Sequence, residues 1–215
     1  MGTTTCMQID LDKLFKNGFS TGHGHLREPN DIMSYSALAA IAIQSNQNDQ
    51  HGGQSIPAFD YYLAPGVLKT FKKMLKTTIK DYIDLEDLND FVNVASIEKE
   101  IAKINTIDIT VEYFEKFYKN SELMKRLFDM SIKKSLEKTD KRTYQAMEAF
   151  VHNLNTMHSR AGAQVPFSSI NFGTDISSEG RMVTKNYMLA SEAGLGQGET
   201  PIFPISIFKV KEGVN

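Results

Sequence analysis

Apolar and polar residues alternate at the start of the chain. Between Thr3 and Leu11, Met7, Ile9 and Leu11 fall on one side and Cys6, Gln8 and Asp10 on the other, a period of two that predicts a strand. Gly18, Gly22, Gly24 and Pro29 then mark a turn-rich stretch. Asn30 or Asp31 supplies an N-cap for a helix predicted to run to about Asn48. That helix carries an Ala/Ile stripe, Ala37-Leu38-Ala39-Ala40-Ile41-Ala42-Ile43, and then an amide-rich end of Gln44, Asn46, Gln47 and Asn48. Gly52-Gly53 closes it, and Gln54 to Phe59 reads as a short strand.

Residues 65 to 158 read as almost wholly helical. Phe114, Phe117 and Tyr118, then Met124, Leu127, Phe128, Ile132 and Leu136, form an apolar stripe, and Tyr144, Met147, Val151 and Leu154 form another. Glu112–Lys116, Glu115–Lys119, Glu122–Arg126, Asp129–Lys133 and Glu137–Lys141 are spaced i,i+4 in the favourable order, as on a solvated helix face. After Gly162 the period changes. Val165 to Phe172 is strand-like, Ser178 to Ala193 helix-like, and Ile202 to Val210 strand-like again. This last segment is apolar on both faces, the pattern of a covered parallel strand. Strand–helix–strand order implies parallel pairing with a right-handed crossover. The expected architecture is α/β with a large helical elaboration at about 65–158, without internal repeats.

Charge and composition narrow the function classes. Among 215 residues, 24 basic side chains face 26 acidic ones, for a net charge of −2, with 41% hydrophobic and 23% charged residues. That length supports one domain with a sizeable core. The balance argues against holding polymeric nucleic acid or an anionic membrane by bulk charge, and no apolar run approaches a bilayer span. Met1-Gly2-Thr3-Thr4-Thr5-Cys6 lacks the basic and apolar regions of a signal peptide. With a single cysteine there is no internal disulfide, and a reducing, cytoplasmic setting is expected.

Cys6 is the sharpest chemical candidate. The alternation puts its thiol on the polar side of the strand, facing a polar cavity or solvent. A redox or hydrogen-donating thiol and a small packing residue both fit that position. His23, His25 and His51 lack the tight, repeated spacing of a zinc site, so no metal site is expected. Gly194, Gly196 and Gly198 lie between a helix and a strand, the reverse of the order a dinucleotide loop requires.

Several segments together resemble anaerobic ribonucleoside-triphosphate reductases, the glycyl-radical class of ribonucleotide reductase. They are Thr5-Cys6-Met7-Gln8-Ile9-Asp10, Asn17-Gly18-Phe19, the Pro29 to Gly53 helix ending in Gln50-His51-Gly52-Gly53, Leu63-Ala64-Pro65, and Gln164-Val165-Pro166-Phe167. Asn171-Phe172-Gly173-Thr174, Gly194-Leu195-Gly196, Thr200-Pro201-Ile202-Phe203-Pro204 and the stretch from Phe208 to Asn215 complete the set. They span nearly the whole chain in the family's order, and Phe71 to Lys141 matches least.

The resemblance implies the first half of a ten-stranded α/β barrel, with residues 1–215 a single partial catalytic domain. It places the thiyl-radical cysteine, the glycyl-radical loop and its zinc-binding cysteines beyond Asn215, so the fragment alone is expected to be inactive. In the family, a thiyl radical removes the 3′ hydrogen of the ribose and the 2′ hydroxyl leaves as water. Formate or a thiol then supplies electrons. Cys6 matches the family's cysteine on the first barrel strand, beneath the departing hydroxyl, and is the catalytic candidate. Thr5, Gly53, Gln54 and Ser55 are substrate-binding candidates. Glu28, Asn30, Gln44 and Gln47 are candidates for binding a deoxynucleotide or ATP effector beside the helix after Pro29, which resembles the family's dimer-interface helix. The implied partners are ribonucleoside triphosphates, the effectors, a second copy of the chain, and an S-adenosylmethionine/iron–sulfur activase that makes the glycyl radical. Two alternatives are another glycyl-radical enzyme of the pyruvate formate-lyase type and a free-standing nucleotide-binding or dimerisation module.

Overall fold

A computed structural model describes residues 5–88, 92–119, 121–158 and 162–215. The opening alternation yields a shorter strand than its period predicts, β1 (Met7–Gln8), because the chain turns helical at α1 (Leu11–Asn17). Asp10 caps α1 by accepting a hydrogen bond from Lys13 N at 3.3 Å, and Leu11 and Phe15, four residues apart, are buried. The residues before Thr5 in the predicted strand lie outside the described ones. The turn-rich stretch contains a small antiparallel hairpin, β2 (Phe19–Ser20) with β3 (His25–Leu26).

Helix α2 (Ile32–Asp49) starts at the predicted cap. Asp31 accepts from Ser34 N at 2.9 Å, and the Ser34 hydroxyl accepts in return from Asp31 N at 3.1 Å. Then come β4 (Gln54–Ile56), α3 (Phe59–Leu85), α4 (Val94–Lys103), a 3-10 turn (Val111–Phe114), α5 (Glu115–Tyr118) and the long α6 (Glu122–Thr156). Strand β5 (Ser168–Phe172), α7 (Ser178–Ala193) and β6 (Ile205–Phe208) complete the order. The helical character of 65–158 therefore holds among the described residues. Its surface ion pairs shift register: Asp129–Lys133 forms at 2.7 Å, but Glu137 takes Lys134, and Lys116 crosses to Glu100. Tertiary proximity outcompetes the weak i,i+4 preference.

The four strands β1, β4, β5 and β6 form a parallel sheet in sequence order. Helices α2, α3, α6 and α7 pack together on it. Along β5, Ser168, Ile170 and Phe172 are buried, while Ser169 and Asn171 between them are only half-buried. One face of the sheet is therefore covered by helices and the other is open. Asp60, fully buried in the first turn of α3, ties the helical layer to the carboxyl end of β5. Its Oδ2 accepts from Gly173 N at 2.8 Å and Asp175 N at 3.1 Å.

Two features depart from the sequence pattern. Helix α2, which resembles the family's dimer-interface helix, turns most of its Ala/Ile stripe inward. Ala39, Ala40, Ala42 and Ile43 are buried within the chain, and Ser36 Oγ donates to Ala146 O of α6 at 2.7 Å. Small side chains permit a close approach, and the chain uses it internally. Strand β6 is not covered on both faces. It lies at the sheet edge, and Ile205, Ile207 and Phe208 are exposed at 56%, 43% and 45%. No element among the described residues lies over its open face.

Candidate active site

Parallel register aligns side chains across the open face. Gln8 pairs with Ser55, Ser55 with Ser169 and Ser169 with Ile205, which makes one row across all four strands. Cys6, Gly53, Phe167 and Phe203 line the amino-terminal side of that row. Together these residues bound a cleft of about 470 Å³. No charged side chain lines it. The cleft has a polar side, with the Cys6 thiol, the Gln8 carboxamide and two serine hydroxyls. It also has an apolar side, where Phe167 and Phe203 meet edge to face with centroids 5.4 Å apart.

The backbone around Cys6 is tightly specified. Met7 N donates to Gly53 O at 3.2 Å and Ile9 N to Ser55 O at 2.8 Å, which fixes β1 against β4. Gly52 has φ +103°, and a Cβ on it would lie 1.7 Å from Thr5 O and 3.2 Å from Cys6 Sγ. Only glycine combines this conformation with so close an approach. At Gly53 the opposite holds: a Cβ there would meet nothing within 4 Å, so bare backbone faces the cleft. Cys6 is exposed on the polar side, as the alternation predicts. Thr5 is exposed but does not line the cleft, and its carbonyl packs on Gly52.

The other sequence-derived candidates divide by side-chain direction. Ser55 points into the cleft. Gln54 contributes backbone only, since its side chain is buried on the helical side, accepting from Asn46 Nδ2 at 2.8 Å and donating to Ile43 O at 2.9 Å. Gln44 Nε2 donates to Asn153 O at 3.3 Å and Gln47 Nε2 to Val165 O at 3.2 Å. The amide-rich end of α2 thus joins that helix to β4, α6 and the segment entering β5. Glu28 and Asn30 sit at the other end of α2, where Glu28 pairs with Lys69 at 2.7 Å and the Asn30 N–H donates to Ser34 Oγ at 3.1 Å. Burial opposes the Lys69 ammonium, but its hydrogen bonds to Glu28 and Tyr35 together outweigh that and raise its pKa. Asn30 lies just before α2, and twelve helical residues, Ile32 to Ile43, separate it from Gln44, about 18 Å along the axis. The four effector candidates therefore do not surround one nucleotide.

Among the described residues, no group of three or more His, Cys, Asp or Glu converges as a metal site. No helix among them is long and apolar enough to cross a membrane. Sequence reasoning missed Gln8, Ser169 and the Phe167–Phe203 wall. Gln8 follows Cys6 by two residues and shares its side of the strand, a signal present in the alternation itself.

The model of the family described as anaerobic ribonucleoside-triphosphate reductase matches residues 1–215. The chain belongs to that reductase family. It is similar to the anaerobic ribonucleoside-triphosphate reductase of Enterobacteria phage T4, 28% identical over 213 residues, covering 99% of this chain and 28% of that protein. The proteins of the same name from Salmonella typhimurium and Escherichia coli are each 25% identical over 211 residues, covering 98% of this chain and 23% of theirs. The chain thus spans about a quarter of the length of the curated relatives it matches. Membership in the anaerobic reductase family sets aside the pyruvate formate-lyase alternative, and Cys6 stands immediately before β1 at the open face of the parallel sheet.

Proposed function

We propose that this chain is part of an anaerobic ribonucleoside-triphosphate reductase, and that its open sheet face supplies one wall of the site where ribonucleoside triphosphates become 2′-deoxyribonucleoside triphosphates. The observation that carries this reading is the position of Cys6. Its thiol is exposed on a neutral, partly polar cleft beside a bare glycine backbone. The family's radical chemistry, generated elsewhere in the protein with its activase, removes the ribose 3′ hydrogen. In this reading Cys6 holds a thiol hydrogen at the face from which the 2′ hydroxyl departs, Gly53 lets the sugar approach β4, and Ser55 donates or accepts a hydrogen bond beside it. Formate or a thiol supplies the two electrons that replace the departing hydroxyl by hydrogen, and the zinc site is assigned to other parts of the protein.

The sheet is read as the first half of a ten-stranded barrel. Sequential parallel strands with helices on one face, and the exposed apolar Ile205, Ile207 and Phe208, support this. Dimer and effector contacts are assigned to the outward side of α2, including Ala37 and Asn48, rather than to its buried alanines.

The test is Cys6→Ser in the full-length protein. Turnover should fall by several orders of magnitude, while substrate and effector affinity and glycyl-radical content stay near wild type, because the stronger O–H bond blocks a step needed only along the reaction path. Near-normal turnover with the native reductant would make Cys6 a packing residue.

A further inference from the structure

The cleft is neutral, although the substrate proposed for it carries a triphosphate. None of its lining side chains is a lysine, arginine or histidine. It does contain one polar row. Gln8 on β1, Ser55 on β4 and Ser169 on β5 stand side by side in register, spanning about 10 Å at the usual strand spacing. None of the three has a side-chain hydrogen-bond partner among the described residues. Gln54 and Ser168, their chain neighbours on the opposite side of the sheet, are bonded inside the protein, Ser168 Oγ to Pro166 O at 3.1 Å and Gln54 to Asn46 and Ile43. One row further along the open face, the Asn171 Oδ1 is shielded from solvent without a partner. The covered side of the sheet has thus satisfied its polar groups, and the open side has left its own for something else.

We propose that Gln8, Ser55 and Ser169 form a hydrogen-bonding rail for the neutral nucleoside part of the substrate, with Phe167 and Phe203 as the apolar wall beside it, and that the triphosphate is held outside this cleft. The proposal rests on the reading of the cleft as the reductase substrate site, and it adds Gln8 and Ser169 as substrate-contacting residues. The chemistry favours this division. Carboxamide and hydroxyl groups match sugar hydroxyls and base amides in donor and acceptor capacity. A triphosphate would require cations or clustered backbone N–H groups.

The experiment uses the full-length protein without activation, so that binding is read apart from turnover. Ribonucleoside triphosphate affinity is measured for Ser169→Ala, Ser169→Thr, Gln8→Met and Cys6→Ser, with inorganic tripolyphosphate as the probe for the phosphate subsite. Ser169→Ala and Gln8→Met should each weaken the nucleotide by about three- to tenfold, the range of one lost neutral hydrogen bond. Ser169→Thr, which keeps the hydroxyl, should recover most of that loss. Tripolyphosphate affinity should not change. Nucleotide affinities within twofold of wild type for both Ser169→Ala and Gln8→Met would overturn the proposal, as would an equal loss for tripolyphosphate. If Ser169→Ala does not fold, as judged by circular dichroism, Gln8→Met on the exposed outer strand decides the matter. Loss of turnover in activated Cys6→Ser together with unchanged affinity in both rail variants would sink the rail alone. Retained turnover in Cys6→Ser would sink the underlying site assignment.

Discussion

Replacing Gly52 by alanine should disable the site although Gly52 is not itself one of the residues that line it. The new Cβ would stand 1.7 Å from the Thr5 carbonyl oxygen, whereas real Cβ contacts are essentially never under 3.0 Å. The Thr5–Cys6 backbone would have to retreat by more than about 1 Å, a displacement that can cost about 100-fold in rate when it moves a reacting group. Alanine at φ +103° adds backbone strain of about 1–3 kcal/mol. The neighbouring Gly53→Ala provides the contrast, because its Cβ meets nothing within 4 Å. That variant should fold normally and act by filling the cleft, raising KM more than it lowers kcat. The assay is anaerobic deoxynucleotide formation by the full-length protein, with thermal melting of each variant alongside. Gly52→Ala should lose at least about 100-fold in kcat/KM. Wild-type turnover and stability in Gly52→Ala would refute the claim that this contact sets the position of Cys6.

Two further outcomes follow from side-chain partners. Gln54→Leu removes two buried hydrogen bonds, to Asn46 and Ile43 O, and should cost about 1–3 kcal/mol in urea denaturation while leaving substrate KM unchanged; a raised KM with intact stability would return the Gln54 side chain to the substrate. Hydrogen bonds from Lys116 and then Lys103 hold the Glu100 carboxyl below its usual pKa of 4.5. A depressed carboxylate stabilises the fold above its unfolded pKa, and that contribution is lost as pH falls through the folded value. The α4–α5 junction should therefore become less protected in hydrogen exchange below about pH 4 and keep its protection unchanged above about pH 5, with Glu100→Gln abolishing the dependence.

Much of the fold is legible in the sequence because periodicity reports burial directly. The predicted spans of α7 and of most of α2 match the observed ones, since the cap at Asp31 and the glycine breaks at Gly52-Gly53 and Gly194 are written in local chemistry. The exposure of Cys6, just before β1, is equally readable. What was hidden depends on which neighbour a face meets. Ala39, Ala40 and Ala42 announce a close helix approach but not its partner, which is α6 of the same chain. Gln44, Gln47 and Gln54 announce polarity but not direction, and all three turn inward to main-chain acceptors more than ten residues away in sequence. Leu11 and Phe15 fit a strand's apolar side as readily as a helical i,i+4 pair, and the Asp10 cap decided for the helix.

Strand β6 carries the remaining argument, because its apolar residues are exposed where its sequence calls for cover. Ile207 shares the open face with Ser169 and Ile205, two positions along from the latter, and is 43% exposed. If the full-length protein closes this sheet into a barrel, Ile207 becomes an interior side chain. Burying the 43% of it still exposed then contributes about 0.6–1.3 kcal/mol, and a lysine in its place would add the larger cost of a desolvated charge. Ile207→Lys in the full-length protein should accordingly lower stability by more than about 3 kcal/mol, measured by urea denaturation with the midpoint and slope fitted together. If the sheet instead stays open, the lysine extends into water and the change stays within about 0.5 kcal/mol, as for other surface substitutions. The two expectations differ by enough to be separated in one titration. A small effect would refute the barrel reading while leaving the four-stranded sheet and the Cys6 cleft as they stand.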